Sequence, residues 1–98
     1  MLASLVMTDQ PGITFTAFVM SLATTAAVHF GDIADPVTGE SHANLPGAAQ
    51  MIEILSMLRE KTKGNLAVEE SELVERLLYE LRMRYVEASQ QEKRIITP

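Results

Sequence analysis

The chain predicts an all-α fold of three helices, and three observations carry that expectation. Apolar residues recur at spacings of three and four in three separate stretches, the signature of a helical face. Residues that start or stop helices bound each stretch. No stretch sustains the period-two alternation of a half-buried strand, and no internal repeat is visible. The expected arrangement is a long hairpin of the second and third helices with an apolar first helix against it, packed into an oligomeric helical bundle.

Residues 1–12 read as a flexible N-terminal arm, separated from the first helix by Pro11-Gly12. A single helical domain is expected over 13–90. Its first helix is placed at about 14–30, within eighteen residues, Ile13 to Phe30, that hold no acid, lysine or arginine. Thr14 serves as N-cap, with Ile13 and Phe18 placed as a hydrophobic staple across the first turn. Phe15, Phe18, Leu22, Ala26 and His29 share one face; Ala17, Ser21, Thr24 and Val28 share a second; Met20, Ala23 and Ala27 share a third. A helix apolar or small on every side needs cover on nearly every side. Gly31 is its natural stop.

The second helix is expected at about 45–63. Asn44 caps it, Pro46 suits its first turn, and Lys61, Lys63 and Gly64 close it. Ala48, Met51, Ile52, Leu55 and Leu58 form its apolar face. The third helix is expected at about 68–92, with Glu69, Glu70 and Glu72 at its positive end. Its buried stripe is Val74, Leu77, Leu78, Leu81, Tyr85 and Ala88. Glu72, Arg76, Glu80 and Arg84 make a ladder of alternating sign on a solvated face, worth a few tenths of a kcal/mol per pair. Residues 91–98 are read as a fraying tail.

Composition narrows the function classes. Ninety-eight residues make one domain at most, and the net charge is −5. Residues 1–30 carry one charge, Asp9, while 31–44 carry three acids and no base. The one-signed basic stripe that a phosphate backbone demands is missing, so nucleic-acid binding is disfavoured. Without cysteine there is no disulfide, thiolate nucleophile or thiolate metal site, which fits a reducing cytoplasm. "MLASLVMTDQPG" has no Lys or Arg before its apolar run and so lacks the charged region of a secretory signal.

Several phrases of the chain, taken together, are similar to a known family. "TFTAFVMSLATTAAVHFGDIADPVTGE", "NLPGAAQMIEILSMLREKTKGNL" and "LLYELRMRYVEA" resemble a small bacterial family, domain of unknown function 1844, from about Ile13 to Ala88. Family members often open the third helix with Thr-Pro where this chain has Ala67-Val68, so a good cap is lost here. Their second helix often carries an acidic pattern that is thinner here, with Gly47-Ala48-Ala49 near its start. The resemblance implies a small bacterial cytoplasmic helical protein; it implies no activity, substrate or catalytic residue.

The connection "HFGDIADPVTGESHANLPG" gathers the polar candidates. His29, Asp32, Asp35, Glu40 and His42 are hard oxygen and imidazole donors. Their spacing matches no EF-hand, since counting from Asp32 places Ala34, Pro36 and Val37 at ligand positions or the glycine position. No His-Glu-x-x-His occurs. A structural account covers more residues: Gly31 stops a helix, Asp35-Pro36 forces a turn, Asn44 caps the next helix, and His29 continues an apolar face. No metal or cofactor is therefore expected, with His29, Asp32, Asp35 and His42 kept as metal candidates. No catalytic residue is assigned. No Gly-x-Ser-x-Gly elbow or glycine-rich phosphate cradle appears, and a helix N-terminus accounts for Glu69, Glu70 and Glu72.

The first functional expectation is a non-catalytic, self-associating structural or protein-interaction module. The second is a ligand- or metal-binding protein using the 29–42 loop. The third is membrane attachment through residues 13–30, disfavoured because Thr14, Thr16, Ser21, Thr24, Thr25 and His29 interrupt the run. For the first, a homodimer is favoured. Its interface is expected to draw on Phe15, Phe18, Val19, Met20, Leu22, Ala23 and Ala27 of the first helix, and on Tyr79, Met83 and Val86 of the third.

Overall fold

The computed structural model of the protein describes residues 12–96. It contains three helices in chain order: α1, Phe15–Phe30; α2, Leu45–Lys61; α3, Val68–Ile96. Among the described residues there is no strand. The expected N-terminal arm lies outside the described residues apart from Gly12.

Local chemistry sets most of the boundaries. The Thr14 hydroxyl accepts the Ala17 N–H at 3.0 Å and so satisfies a donor that the first turn leaves open. At the other end Gly31 adopts φ 82°, a left-handed conformation that glycine takes without penalty. The Gly31 N–H then reaches the Val28 carbonyl, and the Asp32 N–H reaches the Ala27 carbonyl, both at 2.9 Å. That pair of bonds is a Schellman motif. Asn44 caps α2 through its Oδ1, which accepts the Gly47 N–H at 3.1 Å. At the head of α3, where Ala67 offers no capping side chain, the Glu70 carboxylate accepts the Ala67 N–H at 2.8 Å. This is half of a capping box, enough to start the helix where the sequence expects it.

Other expectations need correction. The Ile13–Phe18 staple does not form, because Ile13 is 92% exposed and packs on nothing. α2 ends at Lys61 rather than near 63, with Thr62 turning its hydroxyl onto the Leu58 carbonyl at 2.6 Å. α3 runs to Ile96, beyond the expected end near 92 and through most of the tail read as fraying. Gln90 to Ile96 contains no Gly or Pro, so no stop signal arrives before Thr97-Pro98.

The helices run up, down and up. Val19 of α1, Leu55 of α2, and Val74, Leu77 and Leu78 of α3 form one apolar cluster. Ala26 and Phe30 of α1, Leu45 and Ala48 of α2, and Ala88 of α3 form a second. Early α1 thus meets early α3 and late α2, while late α1 meets early α2 and late α3. So α1 and α3 lie parallel, with α2 antiparallel to both. The core has two chemistries. Around Val19 it is built of branched aliphatic side chains. Around Ala26 and Ala48, both with no exposed surface, small residues let α1 and α2 approach closely.

Val19 is therefore corrected as an interface residue: its side chain fills the chain's own core at 0% exposure. Phe15, Leu22, Ala23 and Ala27 are half-buried. The far side of α1 is open, and its hydroxyls turn back onto the helix. Ser21 donates to the Phe18 carbonyl at 2.6 Å, and Thr24 and Thr25 donate to Met20 and Ser21 carbonyls at 3.0 Å. A helix that looks apolar all round in sequence thus presents a small, hydroxyl-bearing face outward, and only part of it needs cover.

Candidate functional site

Two features stand apart from the core: the 31–44 connection with its contact to α3, and the outer surface of α3. The connection folds on itself through Asp35. The Asp35 carboxylate accepts the Val37 N–H at 2.7 Å and, more loosely, the Thr38 N–H at 3.4 Å. Its carbonyl accepts the Gly39 N–H at 2.7 Å, and its N–H donates to the Glu40 carbonyl at 2.8 Å. Asp35-Pro36 and a left-handed Gly39 (φ 76°) allow this closed turn. The His29 carbonyl then accepts the Asn44 N–H at 2.6 Å, which ties the end of the loop to the end of α1.

The loop brings some of the metal candidates together and separates others. Val28, His29, Asp35, Thr38, Glu40, His42 and Asn44 line a shallow cleft of about 270 Å³. His42 Nε2 lies 2.6 Å from Glu40 Oε1, both side chains largely exposed. His29 is turned toward α2, where a Cβ added at Gly47 would sit 2.8 Å from its Nδ1. Gly47 is therefore the residue that lets the ring and the Asn44 cap share that space. Asp32 is not in the cleft. Among the described residues, no group of three or more metal-binding side chains is arranged to hold an ion.

Asp32 is held elsewhere. The Schellman turn at Gly31 aims it back past Phe30 to α3, where Arg84 meets it as a two-pronged fork. Arg84 Nε donates to Asp32 Oδ2 at 2.9 Å, and Nη2 donates to Oδ1 at 2.7 Å. The same guanidinium donates to Glu87 Oε1 at 3.2 Å and lies over the Phe30 ring, 5.3 Å from its centroid. So Arg84 leaves the ladder in which its spacing placed it, and Glu72, Arg76 and Glu80 form no ion pair with it or each other among the described residues. The hydrogen bonds from Arg84 hold the Asp32 carboxyl below the usual aspartate range, and partial burial opposes them. Arg84 is raised in turn, first by its hydrogen bonds to Asp32.

This clamp predicts a pH signature. A carboxyl whose folded pKa is depressed stabilises the fold above its unfolded value, about 3.9 for aspartate, and loses that contribution as pH falls through the folded value. The raised Arg84 pKa acts only above the working range. With both side chains partly open to water, the bidentate pair is worth about 0.5–1 kcal/mol. Asp32→Asn is expected to lower stability by that amount at pH 7. The gap to wild type should narrow as pH falls below the unfolded value and on through the lowered folded one, which urea titrations at pH 7 and at a descending series of acid pH values would show.

On the outer side of α3, Tyr79, Met83 and Val86 are 67%, 52% and 49% exposed. Spaced by four and three, they form one ridge along the side of the helix turned away from Val74, Leu78 and Ala88. A groove of about 290 Å³ runs beside the ridge at the α2–α3 seam, lined by Ala49, Ile52, Tyr85 and Val86, with Glu53 and Arg82 at its edges. Phe18 and Met20 on α1 are each 43% exposed. The sequence pattern picks out the ridge and these two α1 residues; it does not reveal the groove, which exists only once two helices meet. No described helix is long and apolar enough to cross a membrane.

A family model described as "Domain of unknown function (DUF1844)" matches residues 12–87, which takes in α1, the folded connection, α2 and α3 as far as the clamp. No curated protein and no solved structure matches the chain.

Proposed function

The chain belongs to the family of domain of unknown function 1844, and from that premise we propose that it works as a non-catalytic, self-associating helical interaction module. One observation carries this reading: the Tyr79–Met83–Val86 ridge is apolar, contiguous and about half open to solvent or more on the outermost side of α3. Apolar side chains spaced at three and four on a helix face gain free energy when another surface covers them, roughly 25 cal/mol for each Å² buried. Contiguous patches of this kind mark interaction surfaces on small proteins. Phe18 and Met20 add exposed apolar area on α1, whereas Val19 is taken up by the chain's own core.

Sedimentation velocity on the untagged chain tests the proposal. A reversible dimer, growing in population from about one to about a hundred micromolar, is the expected result for an interface of modest area. A single monomeric species throughout that range would overturn it.

A further inference from the structure

Ridge and groove lie side by side on the same pair of helices. A two-fold axis brings the same patch of two copies face to face, so a self-complementary patch needs a protrusion beside a matching depression. The α3 ridge of Tyr79, Met83 and Val86 is the protrusion, and the Ala49–Ile52–Tyr85–Val86 groove is the depression. Val86 belongs to both, so the two are continuous. Resting on the self-association proposed above, we infer that the occupant of this face is a second copy of the chain, with the two α3 helices packed antiparallel and each ridge seated in the other's α2–α3 groove.

Charge sets the direction. The first two turns of α3 hold Glu69, Glu70, Glu72 and Glu75 and no base, whereas Lys93 lies in its last turns. A parallel pairing sets the four acids of one copy against the four of the other. An antiparallel pairing carries them to the opposite end of the partner helix and also opposes the two helix dipoles. Arg82 of α3 and Glu53 of α2 line the same groove, so the Arg82 that each copy brings to the axis stands beside an acid of its own chain. With the axis near Arg82 and Met83, Tyr79 of each copy faces Val86 of the other. Ridges-into-grooves packing of helices has this geometry.

The chain has no cysteine, so single introduced thiols report proximity without background. Met83→Cys lies near the axis and is expected to form an intermolecular disulfide on mild oxidation, because bridging needs Cβ atoms within about 4.5 Å. Glu72→Cys, far from an antiparallel axis, is expected to stay reduced. Met83→Glu should weaken dimerisation at least about 30-fold in sedimentation while leaving the helical circular-dichroism signal and melting curve of the monomer unchanged, since Met83 touches no core cluster. Met20→Cys on α1 serves as the control. Three results would overturn the α3 pairing while leaving self-association standing: cross-linking through Met20→Cys in place of Met83→Cys, cross-linking through Glu72→Cys, or an intact dimer in Met83→Glu. A wild-type chain that is monomeric throughout overturns the underlying reading instead.

Discussion

Leu55→Ala is expected to lower the unfolding free energy by about 3 kcal/mol, within the range for truncating a buried leucine. Leu55 has no exposed surface and sits where α1, α2 and α3 all meet, in one cluster with Val19, Val74, Leu77 and Leu78. Truncation removes the transfer free energy of three buried carbons and leaves a cavity that the neighbours fill only in part. Substitutions of this kind cost about 2–5 kcal/mol. A domain of this size holds a total stability on the order of 5–10 kcal/mol, so the loss is a large share of it. Thermal and urea unfolding of wild type and variant measure it directly. A loss under about 1 kcal/mol, well below that range, would mean that the three helices do not converge on Leu55.

Enlarging the other cluster should do comparable harm. Ala26 on α1 and Ala48 on α2 belong to the same cluster, and neither has exposed surface. Ala26→Leu adds three carbons where the close approach of the helices leaves no space, so α1 must shift away from α2 or adopt strained rotamers. Overpacking of this kind costs about 1–3 kcal/mol. The shift would also carry Phe30 and Asp32 away from Arg84, so the upper end of that range is expected. Unlike Leu55→Ala, this variant gains apolar volume, and a hydrophobicity argument alone predicts stabilisation. The sign of the change in urea midpoint distinguishes the two accounts.

How much of the fold is legible in the sequence depends on distance along the chain. Thr14, Gly31, Asn44 and the start of α3 act within a few residues of themselves, and each boundary they mark lies where the spacing puts it. The end of α3 escapes a sequence reading because charged and polar residues near a terminus resemble a fraying tail, yet nothing in Gln90–Ile96 breaks a helix. The Ile13–Phe18 staple fails because spacing states which residues can meet, not whether the preceding backbone turns inward. Arg84 and Asp32 cannot be paired from the sequence, since each has a sufficient local explanation, one in a charge ladder and the other among loop acids. Only the parallel docking of α1 beside α3 joins them across 52 residues. The same docking sets Asp32 against Arg84, apart from His29, Asp35 and His42, which line one cleft.

That 52-residue separation has a consequence for the order of folding. The α2–α3 hairpin closes through a connection of six residues, 62–67, and its contacts are local. The Asp32–Arg84 fork spans a fourteen-residue connection, 31–44, and all of α2, so it is expected to form later than the local hairpin contacts. Local pairings form early, and contacts between distant segments are made late. Interactions absent from the transition state change the unfolding rate and leave the folding rate alone. In a stopped-flow chevron, Asp32→Asn should therefore lift the unfolding limb about two- to five-fold and leave the refolding limb superimposed on wild type. The clamp acts as a latch on the escape of α1, governing how long the assembled bundle lasts rather than how fast it forms.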